Sequence, residues 1–496
     1  MYICCTTVHH MPVDTERLLQ ILEDANPWWN GGKVPRVQAP EYRRRDFFVV
    51  RNELSDKRVT ALSGPRQVGK TTVMFQLVEE LLSRGVSPNQ ILFFSFDLPG
   101  MMPGTADPLT EILRLYEERI LRKSFGEIRD KCYVFLDEVT RSEAWHRYLK
   151  GWYDLKLPIK FVVSSSSHTA LKAGAAESLV GRLALHLLLS WNFVDVLMYR
   201  TRDESLNDSS LDARRAFRKA IGTGDLAALL KALQRSRPTA SRERLAVQRA
   251  IHEYLLVDGM PGLFEDGGAP FQWARTLSDY LTLTLTNDVY RFFGIRSSTR
   301  VFEDLLSLIA SQSGQVMSYR SLAESLNLEL RTLQEYLDYL EGIFLVSRAP
   351  FYSRSRAVRS RKQRKIYLTN PAILNLLLGH LGQDLTRRAS LMGPVAESVV
   401  HDHAKRLAFN YSPGVDPTAY YWRDERGHEV DIVIEADGNP LPIEVKYRTD
   451  PKRDLGGIEA FIEKFHSSAA VVVTRDVLAL ESNVIYIPLP DFLSLV

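Results

Sequence analysis

Apolar residues in this chain come first as short unbroken runs, then at helical spacing, and near the C-terminus in alternation. Residues 58–63 (RVTALS), 90–97 (QILFFSFD), 132–140 (CYVFLDEVT) and 159–167 (IKFVVSSSS) have the length and apolar content of buried strands. After the first of them, TTVMFQLVEELLSR (71–84) sets Val73, Leu77, Leu81 and Leu82 at helical spacing. Buried strands alternating with helices predict an α/β fold with a parallel sheet and a site at the C-terminal ends of its strands. The run LALHLLLSWNFVDVLMY (183–199) is interrupted by His186, Asn192 and Asp195. It predicts a buried strand leading into a helix and no membrane span.

Residues 201 to about 260 are mostly amphipathic helix by pattern, as in DLAALLKALQRSR. Between 301 and 350 come three short helical patterns, separated by turn signals at Ser313-Gly314 and around Asn327, and then the strand-like GIFLVSRA. The third pattern, about 330–341, puts Leu333, Tyr336, Leu337 and Leu340 on one face. Three helices and a strand follow the order of a winged helix.

Residues 428–446 (HEVDIVIEADGNPLPIEVK) alternate at period two around Asp437-Gly438, a hairpin signal. Val430, Ile432, Ile434, Leu441, Ile443 and Val445 form one face, and Glu429, Asp431, Glu435, Glu444 and Lys446 the other. A two-residue turn sets Asp431 opposite Glu444, whereas a four-residue turn including Pro440 sets it opposite Lys446. Either register brings the two acids and the lysine together. Facing carboxylates need a cation between them, Mg²⁺ or Lys446.

At 496 residues, 45% hydrophobic and 25% charged, the chain is expected to hold two to four soluble domains. Its net charge of +3 implies no global attraction to an acidic partner. Charge is concentrated locally: residues 353–365 (SRSRAVRSRKQRK) hold seven basic residues in thirteen, and no acid occurs from Gly342 to Gln383. Such a segment suits sequence-independent contact with nucleic acid phosphates, or a solvated loop, or an acidic neighbour in a homo-oligomer. Cys4, Cys5 and Cys132 cannot form a disulfide framework, which points to a reducing cytoplasm, and the N-terminus lacks the features of a signal peptide. The adjacent pairs Cys4-Cys5 and His9-His10 lack zinc-ligand spacing and read as a frayed terminus.

The most specific chemistry is in GPRQVGKTT (64–72), with Gly64, Gly69, Lys70, Thr71 and Thr72 in the pattern of a phosphate loop between strand and helix. Lys70 would reach the β- and γ-phosphates of ATP and Thr71 would hold Mg²⁺. About 65 residues on, the 132–140 strand ends in Asp137, suited to the Mg²⁺ shell, and Glu138, suited to activating water. At the end of the next strand Ser164 or Ser165 is a candidate γ-phosphate sensor, and a plain serine-rich turn is the alternative.

SGPRQVGKTT, FLDEV, SLVGRLALHLLLSWNF, YLLVDGMPGLF, KIYLTNPAI, GPVAESVV, YYWRDERGHEVDIVI and IEVK together resemble the prokaryotic AAA+-type P-loop ATPases that carry a C-terminal nuclease-like domain. The resemblance covers nearly everything beyond about residue 40. It implies a P-loop NTPase (AAA+-like) core over 41–200 after an N-terminal extension (1–40). A helical lid and connecting helices (201–300), a winged-helix domain (301–370) and a PD-(D/E)XK nuclease-like domain (371–496) follow. In such nucleases Asp431, Glu444 and a helix-borne Glu397 would be metal ligands, the Val445 carbonyl a further ligand, and Lys446 would act on the attacking water. Arg182, in SLVGR, stands where related ATPases show a Gly-Arg pair. It is a candidate trans-acting arginine in an oligomer, or a salt-bridged structural one. The expected protein is a cytoplasmic ATPase whose nucleotide state controls a nuclease-like, DNA-associated module. The alternative is a regulatory ATP switch or scaffold with an inactive nuclease-like fold.

Overall fold

A computed structural model of the chain describes residues 15–97, 108–203, 206, 210–237, 240–257, 259–265, 270–289, 299–381, 389–411, 418–436, 438–448, 450–451 and 453–496. Cys4, Cys5, His9, His10 and the turn residue Asp437 lie outside them. The chain divides into two compact units, Met1–Leu189 and Ser190–Val496.

In the first unit the apolar runs form β1 (Val59–Ser63), β2 (Ile91–Ser95), β3 (Cys132–Asp137), β4 (Ile159–Ser165) and β5 (Leu183–Leu187). They make one parallel sheet in the order β2-β3-β4-β1-β5. Every residue of β1 and β2 is buried, because helices cover both faces of a sheet with parallel crossovers. Leu62, Phe93, Phe135 and Val162 meet Val73, Met74, Leu77 and Leu81 of the helix Lys70–Ser83 on one face. Ala61, Leu92, Val134, Leu136 and Val163 pack with Leu109, Ile112 and Trp145 on the other. The open edge at β2 is covered by the segment before β1. Asn26 donates to the Phe93 carbonyl (2.8 Å) and accepts from the Phe93 amide (2.6 Å), and both Trp28 and Trp29 donate to the Ile91 carbonyl. Pairing an edge in this way removes a site for aggregation.

The second unit holds two sheets. The smaller is antiparallel, in the order β6-β8-β7: β6 (Val316–Met317), β7 (Val346–Ala349) and β8 (Arg364–Leu368). In chain order it runs helix Thr299–Ser311, β6, helices Tyr319–Ser325 and Leu330–Gly342, β7, helix Arg356–Arg361, β8. Leu333, Tyr336, Leu337 and Leu340 are buried, as their spacing predicts. The larger sheet joins β9 (Tyr420–Arg423), β10 (Glu429–Ala436), β11 (Asn439–Lys446), β12 (Ala470–Thr474), β13 (Ala479–Glu481) and β14 (Val484–Pro488) in the order β13-β14-β12-β11-β10-β9.

β10 and β11 are antiparallel with Ala436 paired to Asn439 and Ile432 to Ile443, the register of the two-residue turn. The single-core-face expectation fails on this hairpin. Val433, Pro442 and Glu444 are buried too, whereas Val445 is only half-buried. Helices Ala389–Tyr411 and Gly456–Phe465 both pack on these strands, so neither face is left to solvent. Helices Leu211–Thr223 and Leu226–Ser236 pack on the same sheet: Phe217 meets Phe492 edge-on at 6.3 Å and Ser468 donates to the Ile221 carbonyl. Among the described residues no helix is long and apolar enough to cross a membrane.

Candidate nucleotide and carboxylate sites

β1 ends at Ser63, and the chain turns at Gly64 into the loop that opens the helix Lys70–Ser83. A side chain at Gly64 would put its Cβ 1.8 Å from the Leu188 carbonyl oxygen, so the loop is held against the end of β5 by backbone contact. The close approach demands glycine. Lys70 is buried, and its Nζ donates to the carbonyls of Gly64 and Pro65 at 2.9 Å each while lying 3.5 Å from Glu138 Oε1. Thr71 Oγ1 donates to Asp137 Oδ2 at 3.0 Å, and Ser95 Oγ reaches the same oxygen at 3.2 Å. Thr72 follows in the first turn of the helix. A hydroxyl and a carboxylate at this spacing are hard oxygen donors that fit Mg²⁺.

β4 lies between β1 and β3, so its last residues stand between the loop and the two acids. Ser164 Oγ donates to Asp137 Oδ1 (2.5 Å) and accepts from the Glu138 amide (2.9 Å). Ser166 donates to Glu138 Oε2 through both its amide and its hydroxyl, at 3.0 Å each. Ser165, the sensor candidate, points elsewhere, with its hydroxyl 2.8 Å from that of Thr140 and donating to the Ser167 carbonyl. Ser164 and Ser165 are adjacent in β4 and take opposite faces, and Ser166, one residue past the strand, returns to the acids. Burial, and then the charge of Glu138, drive the Asp137 pKa up. Burial opposes ionisation of Glu138 as well, but Lys70, the Ser166 donors and Arg66 hold its pKa below the usual carboxylate value.

Two arginines that motif reading passed over stand at this end of the sheet. Arg141 Nη1 lies 2.7 Å from Asp97 Oδ1, and Arg66 Nη1 3.5 Å from Asp97 Oδ2. Arg66 is within the phosphate loop and Arg141 three residues past Glu138, so proximity to the two motifs is the signal that could have found them. Arg182 is not brought to the loop of its own chain. Its carbonyl accepts from Val59 at the N-terminal ends of the strands, and its Nε pairs with Asp154 at 3.0 Å.

In the second unit the acids of the hairpin converge, with one addition. Asp431 Oδ2 accepts from the Val445 amide (2.9 Å), and Glu444 Oε1 lies 2.7 Å from Lys446 Nζ. The addition is Lys365 of β8, whose side chain is 1% exposed. Its Nζ lies 2.7 Å from Glu429 Oε1, 3.3 Å from Glu397 Oε1 and 3.4 Å from Asp431 Oδ1. Tyr367, two residues on, donates to Glu397 Oε1 at 2.8 Å. The expected metal set of Glu397, Asp431 and Glu444 therefore meets an ammonium group, and among the described residues no three His, Cys, Asp or Glu side chains gather to hold a metal ion. Mg²⁺ needs oxygens at about 2.1 Å in near-octahedral array, and the cluster as it stands does not fit one.

Burial works against the Lys365 charge, but Tyr367, Glu397, Asp431 and Glu429 hold its pKa well above the usual lysine value. Burial, offset by Lys365 and reinforced by Asp431, raises Glu397 to about 7. Burial and Asp431, offset by Lys446, raise Glu444 to about 8. Both carboxyls thus keep their protons in the folded chain at pH values where the unfolded chain has released them. Their stabilising contribution is full below about pH 4.5 and is lost as pH rises toward 7 and 8. Urea melts of the second unit's unfolding should weaken from this source between pH 5 and 8, by up to about 6 kcal/mol. Glu444→Gln should flatten that slope.

The basic segment is less free than its composition predicts. Lys365 is committed to the acids, Arg359 packs over Tyr352 and Tyr420 and lies 3.6 Å from Glu435, and Arg354 donates to the Phe465 carbonyl. Arg356, Arg361 and Lys362 remain exposed. On the helix Leu330–Gly342, Arg331 pairs with Glu335, while Asp338 and Glu341 both pair with Arg348.

Residues 56–197 match a family described as AAA domain. With the phosphate loop and the parallel five-stranded sheet, that match supports an AAA+-type P-loop ATPase family for this part of the chain. Residues 248–384 and 392–492 match two families each described as a domain of unknown function, DUF8612 and DUF4143. An uncharacterized protein of Mycobacterium tuberculosis is 24% identical over 465 residues, covering 90% of this chain and 86% of its own length. Another, from Methanocaldococcus jannaschii, is 24% identical over 467 residues, covering 92% and 90%. Among solved structures, the Aeropyrum pernix ORC2 protein in its ADPNP-ADP complexes aligns with 71% of this chain and 99% of its own, at 13% identity and a TM-score of 0.33. A TM-score that low carries no weight.

Proposed function

We propose that the chain is an ATP-binding and ATP-hydrolysing switch whose nucleotide state acts on a C-terminal nuclease-like module. The observation that supports this most is the 3.0 Å contact of Thr71 with Asp137, residues 66 apart in sequence, beside a Glu138 already held in place by Ser166. Lys70 would leave the loop carbonyls for the β- and γ-phosphates, and Thr71 and Asp137 would hold Mg²⁺. The ion, when bound, neutralises charge on the phosphates. Glu138 would take the proton of the attacking water while Ser166 fixes its carboxylate. Arg66 and Arg141, now shared on Asp97, are placed to exchange that carboxylate for phosphate oxygens.

The helix and strand order around β6-β8-β7 supports a winged-helix domain, and the β10–β11 hairpin with Glu397 supports a PD-(D/E)XK-like fold. Contact with nucleic acid would rest on Arg356, Arg361 and Lys362, because the helix Leu330–Gly342 neutralises or opposes its own cations. Neutralising those three residues should lower the slope of log K against log salt by up to about three units. An unchanged slope removes the segment from any nucleic-acid interface. The second reading, a switch or scaffold with an inactive nuclease-like fold, is favoured by Lys365 within the carboxylates. DNA and RNA incubated with the wild-type chain, ATP and Mg²⁺ or Mn²⁺ separate the two. Cleavage that Asp431→Ala abolishes supports an active nuclease, and intact nucleic acid with continuing ATP turnover supports the switch.

A further inference from the structure

We propose that the ammonium of Lys365 is the resident cation of the C-terminal carboxylate cluster, so that the wild-type chain takes up no divalent metal there and does so only once Lys365 is withdrawn. This deepens the nuclease-like reading of the module and is independent of ATP hydrolysis.

An ammonium offers three donors and no acceptor, and three carboxylates from two elements approach it. Glu397 comes from the helix Ala389–Tyr411, and Glu429 and Asp431 from β10. The separations of 2.7 to 3.4 Å suit charge-assisted hydrogen bonds and ion pairs. A divalent ion would have to bring the same oxygens about 1 Å closer. Placed beside a buried ammonium, it would also meet a like charge with little water to screen it.

Lys365 is no passing surface side chain. It pairs through its backbone with Val316 of β6 on one side and Ala349 of β7 on the other, which makes it the middle of a three-stranded sheet. The same small sheet region closes the rest of the cluster. Tyr367 donates to Glu397, and at Gly314 (φ 79°) an added Cβ would fall 2.7 Å from Glu397 Oε2. The Gly314 turn, β8 and the Glu397 carboxylate are thus closely fitted to one another. Withdrawing the Lys365 ammonium means opening the packing that buries it.

The test is Mn²⁺ binding to the full chain without nucleotide, followed by electron paramagnetic resonance, with Asp431→Asn as the control for the cluster. The wild type should show no Mn²⁺ that depends on Asp431. Lys365→Met should take up one Mn²⁺ at least ten-fold more tightly, and Asp431→Asn in that background should abolish it. Asp431-dependent Mn²⁺ on the wild type overturns the proposal, and so does a folded Lys365→Met chain without such a site. Should Lys365→Met fail to fold alone, its melting is followed with Mn²⁺ present. Rescue that requires Asp431 supports the proposal, and no rescue overturns it. Nucleic-acid cleavage is scored separately, so an inactive nuclease and an absent metal site give different results.

Discussion

Lys70→Ala should abolish ATP binding, while Glu138→Gln should leave binding intact and slow turnover by about 10²–10⁴-fold. The two substitutions remove different things from one buried pair. Lys70 is 5% exposed, and among the described residues its Nζ meets the loop carbonyls and Glu138. Without it the cradle keeps its amides but loses the cation that compensates phosphate charge. Glu138→Gln keeps the shape and the Ser166 donors but loses the proton acceptor. Binding of a fluorescent ATP analogue and release of inorganic phosphate read the two effects apart. Normal turnover by Glu138→Gln would move water activation to another residue.

Phe461→Ala should cost about 3–5 kcal/mol in the second unit. Phe461 is fully buried, with ring centroids 5.5 Å from Trp422, 5.6 Å from Tyr352 and 4.6 Å from Phe465. Those rings, with Phe351, Val430 and Val433, form a core shared by the chain leaving β7 and by strands β9 and β10. Loss of the ring leaves a cavity that four elements would have to close together. Denaturant melts should show the whole unit weakened, and a change below about 1 kcal/mol would mean the core repacks freely. Because the same core sets β10 against the small sheet, the variant should also loosen Lys365 from Glu429 and Asp431.

Sequence reading went furthest where a local rule carries the chemistry. The phosphate loop and the acids at the end of β3 each follow from spacing within about ten residues, whereas the hairpin was narrowed to two registers, of which the two-residue turn's is the one formed. Ser164 was legible in principle, since alternation along β4 separates it from Ser165, whereas Ser166 lies one residue past the strand where alternation gives no guide. Lys365 was not. It sits in a run of seven basic residues that composition treats alike; its neighbour Arg364 on the same strand is only half-buried, and the face of β8 toward Glu397 and β10 singles Lys365 out. The two-faced burial of β10 and β11 was also hidden, because it depends on helices outside the hairpin, one ending at Tyr411 and the other starting at Gly456. Pro440 and Pro442, both buried, were the local hint that the polar face was not simply wet.

The burial of Lys365 has a kinetic consequence. An exposed lysine exchanges partners by rotamer hops in picoseconds to nanoseconds, and such a contact is always partly open. The Lys365 side chain is 1% exposed, so its ammonium leaves the carboxylates only when the packing around it opens. Opening then belongs to the microsecond-to-millisecond class of collective motions. The cluster would respond to a signal in discrete openings, slow enough for relaxation-dispersion measurements to count.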